Sequence, residues 1–182
     1  MPCEPADLAR KAARIRLLLF DVDGVLTDGR IQVQADGTES KQFSIRDGTG
    51  VVWAQRAGLK VGLLSGRHSP ATTLRAAQLG IGIVRQLAVD KLQVFTEVLD
   101  QERLQADQAA FMGDDLLDLP VLARAGLSAA PADGVPEVTA RVDWVSSRDG
   151  GAGAARELIE MVLRAQGKWD ELVRGYLPSD AH

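Results

Sequence analysis

Apolar residues in this chain gather into short runs separated by amphipathic stretches. Leu17-Leu18-Leu19-Phe20 shows no polar alternation and is followed at once by Asp21-Val22-Asp23-Gly24. An unbroken apolar run of that length reads as a strand covered on both faces. Lys60 to Leu64, Ile81 to Val84, Ala109 to Met112 and Leu127 to Ala130 repeat the pattern, with a short strand at Asp143 to Val145. Helical stretches fall between them. They cover residues 6–14, a stretch from Asp47 to a stop at Gly58, and one from the cap Ser69-Pro70 to about Gly80. Further helices run from the cap Asp90 to about Glu102, from the acidic turn after Met112 to Ala125, and from about Ala154 to Gln166. Gly150-Gly151-Ala152-Gly153 breaks the chain before the last of these, and residues from about Leu177 read as a frayed end.

Strand and helix alternation predicts one α/β domain over residues 1–182, built on a doubly wound, Rossmann-like parallel sheet. Residues 29–45 depart from that rhythm. Arg30-Ile31-Gln32-Val33-Gln34, the turn pair Asp36-Gly37 and a return through Phe43 and Ile45 predict a β-hairpin inserted after the first strand.

The length of 182 residues suits a single core, and a net charge of −4 argues against a broad nucleic-acid footprint. Cys3 is the only cysteine, so no internal disulfide or cysteine-rich metal site is possible, as expected in a reducing cytoplasm. The longest apolar run is too short to span a membrane, and the segment before it lacks an apolar signal core.

Sites in open parallel sheets lie at the carboxyl ends of the strands. Asp21 and Asp23 follow the first strand there, Ser65-Gly66 the second, Lys91 the third with its loop, and Asp114-Asp115 the fourth. Each group alone is ambiguous: Asp-Gly is a common turn, and a lone lysine is usually solvated. Together they suit phosphoryl transfer. Asp21 is the candidate nucleophile and Asp23 the acid and base, while Ser65, the Gly66 amide and Lys91 are placed to bind the transferring phosphate. Clustered carboxylates repel one another, and Mg²⁺ held by Asp21, the Asp23 main-chain carbonyl and Asp114 would reconcile them. Asp115 or Asp118 would then hold a metal-bound water or orient Lys91. A phosphorelay receiver domain uses similar groups, but its lysine comes last, whereas Lys91 precedes Asp114 here. A catalytically silent interaction subunit would not need every one of these residues.

Asp21-Val22-Asp23-Gly24-Val25-Leu26-Thr27, Ser65, Lys91 and Gly113-Asp114-Asp115-Leu116-Leu117-Asp118 resemble the four motifs of the haloacid dehalogenase superfamily. The spacing leaves room for the hairpin but not for a cap domain. This resembles the capless branch that contains the phosphatases of 3-deoxy-D-manno-octulosonate 8-phosphate (KDO 8-phosphate), from roughly Ile15 to Glu171. The resemblance implies a magnesium-dependent phosphatase of lipopolysaccharide biosynthesis, working through an aspartyl-phosphate. It implies a homotetramer packed through residues 29–45, with the glycine-rich tail from Gly150 to Arg156 and beyond reaching a neighbour's site. It also assigns substrate contacts to Asp23, Ser44, Ile45, Arg46, Asp47, Gly48, Arg67 and Arg75. Relatives acting on the nine-carbon keto acid 9-phosphate tend to carry Glu at the position of Arg67, so Arg67 favours the eight-carbon substrate.

Overall fold

A computed structural model describes residues 4–178, so Cys3 and the last four residues of the expected frayed end lie outside it. Six strands form one parallel sheet: β1 (Leu17–Phe20), β4 (Lys60–Leu64), β5 (Ile83–Arg85), β6 (Ala109–Met112), β7 (Leu127–Ala130) and β8 (Trp144–Val145). Their spatial order is β5-β4-β1-β6-β7-β8, which puts β1 between β4 and β6 with Leu17 in register with both Lys60 and Ala109. The remaining pair, β2 (Gln32–Val33) and β3 (Glu39–Ser40), is the antiparallel hairpin.

The lack of alternation in β1 follows from its place. Leu18 and Phe20 pack on one face with residues of α1 (Pro5–Arg14), α2 (Ile45–Arg56) and α7 (Ala154–Ala165). Leu17 and Leu19 pack on the other with Phe95 of α4 (Lys91–Glu102) and Val121 of α5 (Leu119–Leu122). All four β1 side chains are buried, and each burial is worth about 1.5–3 kcal/mol. The strand that carries the first motif is thus among the most firmly held parts of the molecule.

Several boundaries differ from the expectation. The hairpin pairs only at Gln32 with Ser40 and Val33 with Glu39, and Ile45 belongs to α2 instead of the returning strand. The reason is local: Ser44 is an N-cap whose hydroxyl accepts the Asp47 amide at 3.2 Å, so the helix starts two residues before Asp47. Ser69 stands at the N-cap of α3 (Pro70–Gln78), yet its hydroxyl caps nothing. After Met112 the expected helix shrinks to a 3₁₀ turn, Leu116–Asp118, followed by α5. Two short helices went unpredicted, α6 (Pro136–Thr139) and α8 (Trp169–Arg174). No helix among the described residues is long and apolar enough to cross a membrane.

Candidate active site

The Asp21 amide donates to the Met112 carbonyl at 3.0 Å, extending the β1 ladder to the first carboxylate. The chain then turns tightly: the Val22 carbonyl accepts the amides of Leu26 and Thr27 at 3.0 and 3.1 Å. Gly24 has φ +88°, and a Cβ there would stand 2.0 Å from Asp114 Oδ2. Both the backbone conformation and the close approach of Asp114 require glycine.

Lys91 is buried at the first position of α4, and its Nζ donates to Asp21 Oδ2 at 2.8 Å and Asp118 Oδ1 at 2.6 Å. Asp118 is wholly buried, and its Oδ2 accepts the amides of Asp114 and Asp115 at 3.0 and 3.3 Å. One carboxylate therefore fixes the lysine and the acidic turn after β6 together. Asp115 faces its own turn, where its carboxylate accepts the Leu116 amide at 2.6 Å.

Three carboxylates share one ammonium, and their titration registers the excess. Burial, then the charge of Asp118, pushes Asp21 up to about 6 against the pull of Lys91. Burial followed by repulsion from Asp21, Asp118 and Asp115 pushes Asp114 up to about 8. Burial alone would depress the Lys91 ammonium, but Asp21 and Asp118 outweigh it and raise it. Asp114 Oδ1 is buried with no hydrogen-bond partner among the described residues. One oxygen from each of Asp21, Asp114 and Asp118 lies within 4.8 Å of the others. Hard oxygens in charge excess, one of them unsatisfied, fit a divalent cation. Both oxygens of Asp21 and both of Asp118 already accept hydrogen bonds, so Asp114 Oδ1 is the buried oxygen of the three carboxylates left without a partner.

Ser65 ends β4 with its amide on the Arg85 carbonyl at 2.8 Å, and its hydroxyl accepts the Arg67 amide at 3.2 Å. A cleft of about 260 Å³ opens above these groups, lined by Asp21, Asp23, Ser65, Gly66, Arg67 and Lys91 along with the acidic turn. A larger hollow of about 540 Å³ lies against Trp53 and Tyr176, but the smaller cleft is the one that holds the buried carboxylates and Lys91.

Asp23 does not stand free in this cleft. Lys41 Nζ donates to both its oxygens at 2.7 and 2.9 Å, and Arg67 Nε approaches at 3.8 Å. Arg67 Nη2 in turn donates to Glu39 Oε2 at 3.0 Å. The Ser69 hydroxyl, with Lys41 and Arg67, holds the Glu39 carboxyl below its ordinary range. Glu39 and Lys41 were missed in the sequence. The available signal was two opposite charges at alternate positions of the returning hairpin strand.

The expected substrate set divides. Asp23 and Arg67 line the cleft, whereas Ser44, Ile45, Arg46, Asp47, Gly48 and Arg75 lie outside it within this chain. Ser44 caps α2, and Asp47 is buried with its Oδ1 accepting the Arg156 amide at 2.8 Å, supplying a cap that Gly153 cannot give α7. Burial raises the Asp47 carboxyl despite the Arg156 amide and the Ser44 hydroxyl. Arg75 Nη2 donates to the Ser44 carbonyl at 3.4 Å and sits where a Cβ on Gly48 would collide with it. Ile45 is exposed, and Arg46 borders a separate hollow with Arg148 and Arg156.

Gly150 to Arg156 makes close contacts within its own chain. A Cβ on Gly150 would lie 1.8 Å from the Gly24 carbonyl, and the Gly151 amide donates to the Val25 carbonyl at 2.9 Å. Within this chain the segment is a packed wall behind the loop that carries Asp21 and Asp23. Farther on, Tyr176 accepts a hydrogen bond from Trp53 Nε1 at 2.8 Å, so the described part of the tail folds back onto α2.

The pattern of the haloacid dehalogenase-like hydrolase family matches residues 71–158. The chain is similar to the 3-deoxy-D-manno-octulosonate 8-phosphate phosphatase KdsC of Escherichia coli (strain K12), at 42% identity over 166 residues, covering 91% of this chain and 88% of that protein. Among solved structures, the phosphatase of the same name from Yersinia pestis superposes with a TM-score of 0.89 at 40% identity, covering 90% and 89% of the two chains. That from Moraxella catarrhalis, determined with magnesium ion, phosphate ion and KDO, superposes with a TM-score of 0.94 at 32% identity, covering 96% and 100%.

Proposed function

The chain belongs to the KDO 8-phosphate phosphatase family of haloacid dehalogenase-like hydrolases and is a phosphoric monoester hydrolase, and we propose that it hydrolyses KDO 8-phosphate to KDO and inorganic phosphate with Mg²⁺ bound. The observation that carries this reading is the set of buried Asp21, Lys91 and Asp118 with half-buried Asp114 at the end of β1 and its neighbours, and Arg67 at the mouth of the same cleft.

An Asp21 carboxylate oxygen attacks phosphorus, the bond from phosphorus to the sugar oxygen breaks, and Asp23 gives that oxygen its proton. Water then passes a proton to Asp23 and attacks the acyl-phosphate, releasing phosphate and restoring the Asp21 carboxylate. Lys91, fixed by Asp118, keeps a positive charge against the phosphoryl oxygens throughout, and Ser65 with the Gly66 amide donates to them. When bound, Mg²⁺ held by Asp21, Asp114 and the Asp23 carbonyl supplies charge that offsets the phosphate.

Arg67 suits the carboxylate at the substrate's far end, because a guanidinium pairs with carboxylate through two parallel donors. In the free chain that fork is shared with Glu39, so a substrate carboxylate competes for it. Both the eight- and the nine-carbon acids carry that carboxylate, so the choice of the eight-carbon one, and with it a place in lipopolysaccharide biosynthesis in the cytoplasm, rests on the likeness to KDO 8-phosphate phosphatases, in which Arg67 has its counterpart by resemblance. Ser44 to Gly48 and Arg75 could meet substrate only across a contact between copies, which fits the homotetramer that the resemblance implies. Side-by-side kcat/KM values for the eight- and nine-carbon keto acid phosphates, with an Asp21→Asn control, test the reading. A preference for the nine-carbon ester, or phosphate release equal to the control, defeats it.

A further inference from the structure

Residues on alternate positions of a strand leave the same side. Glu39 and Lys41, the latter one residue beyond β3, accordingly both turn to the cleft mouth, to Arg67 and Asp23. The Lys41 side chain is 0% exposed, although the hairpin positions Gln32, Val33 and Ser40 around it are exposed. A buried ammonium is costly unless paired. Among the described residues, Asp23 is the carboxylate in ion-pair contact with Lys41, and both its oxygens take part.

We infer that Lys41 is a positioning residue for Asp23, an inference that rests on the reading of Asp23 as acid and base. An aspartate on a loop samples several rotamers, and proton transfer requires one oxygen within hydrogen-bond reach of the leaving group. Contact from one ammonium to both oxygens fixes the plane of the carboxylate as well as its place. When one oxygen carries the proton to be donated, the other still holds Lys41. The inserted hairpin thus reaches into the chemistry through a single side chain, while the nucleophile keeps its own support from Lys91 and Val22.

The test compares Lys41→Met, Asp23→Asn and the double variant on simple phosphate esters lacking a carboxylate. One is a primary alkyl phosphate, whose leaving group needs a proton; the other is an aryl phosphate with an acidic leaving group, which does not. The kcat/KM ratio reads events up to transfer onto Asp21, before the water step that both esters share. Lys41→Met should lower it on the alkyl ester by about 30-fold and on the aryl ester by less than about 3-fold, given what misplacing a catalytic group costs. The double variant should be no worse than Asp23→Asn, and Lys41→Arg should recover part of the loss. Equal losses on both esters, or none, overturn the role of Lys41. An Asp23→Asn enzyme without leaving-group dependence overturns the reading of Asp23 itself, and the inference with it. Should Lys41→Met melt below assay temperature, Lys41→Gln carries the same comparison.

Discussion

Two charge clusters meet in the cleft and are built on opposite principles. Asp21, Lys91, Asp114 and Asp118 sit on strand ends, a helix start and a tight turn, are largely buried, and set three carboxylates against one ammonium. Asp23, Lys41, Glu39 and Arg67 belong to loops and the hairpin and balance two anions with two cations. An unbalanced buried cluster is poised to take up a cation, and its geometry is paid for by the core. A balanced cluster at a cleft mouth instead exchanges partners with an incoming anion. The proposed nucleophile and its charge support thus stand in the first cluster, while the second joins Asp23, held by Lys41, to Arg67 at the cleft mouth.

The largest effect that can break this division is loss of Asp21, the proposed nucleophile. Asp21→Asn is expected to reduce kcat by about 10³-fold or more while circular dichroism stays native, since the swap is nearly isosteric. Activity within tenfold of wild type would move the nucleophile elsewhere. Next comes Lys91→Met, which strands Asp21 and Asp118 beside each other and should cost about 3 kcal/mol at neutral pH as well as activity. Chemical denaturation that finds the variant as stable as wild type would show the cluster to be less buried than described.

Asp114 sharpens the contrast through pH. Its folded value of about 8, against 3.8 for the unconstrained group, means that the metal-free folded chain holds an extra proton between those limits. Metal-free stability should therefore fall as pH rises through that window, with Asp21 contributing in the same sense up to about 6. Mg²⁺ should raise Tm at pH 8 by several degrees. Asp114→Asn should remove that shift and raise the metal-free Tm; a variant that melts with wild type and still responds to Mg²⁺ refutes the assignment. The smallest stability effect is expected from Arg67→Ala, whose side chain is 53% exposed. It should change stability by no more than about 0.5 kcal/mol yet raise KM for KDO 8-phosphate about tenfold, leaving an aryl phosphate unaffected. Equal KM changes on both substrates would remove Arg67 from carboxylate recognition.

The two clusters were unequally legible in the sequence. Asp21, Ser65 and Asp114 each follow a buried strand, and Lys91 follows a capping Asp90, so local pattern alone puts them at one sheet edge. The choice of Asp118 over Asp115 as the partner of Lys91 needed the turn itself, because the two lie only three residues apart. Lys41 escaped notice because a two-residue pairing sets which way its side chain points, and no periodicity that short announces itself. Ser44 to Gly48 have a role that the resemblance did not announce: within this chain Ser44 caps α2 and Asp47 caps α7. The resemblance gives the glycines from Gly150 a reach to a neighbour's site, and local pattern did not show that two of them are demanded by the close approach of Gly24 and Thr27 within the chain.

That approach bears on how the enzyme comes into being. The loop carrying Asp21 and Asp23 is made before the wall it leans on, which begins at Gly150, more than a hundred residues later. A chain growing on the ribosome can pair β1 with β4 and β6 and still lack the backing that shapes its catalytic turn. The site waits for Gly150 and Gly151, so the product of a message interrupted between Asp118 and Gly150 would carry the side chains of both clusters and no finished site.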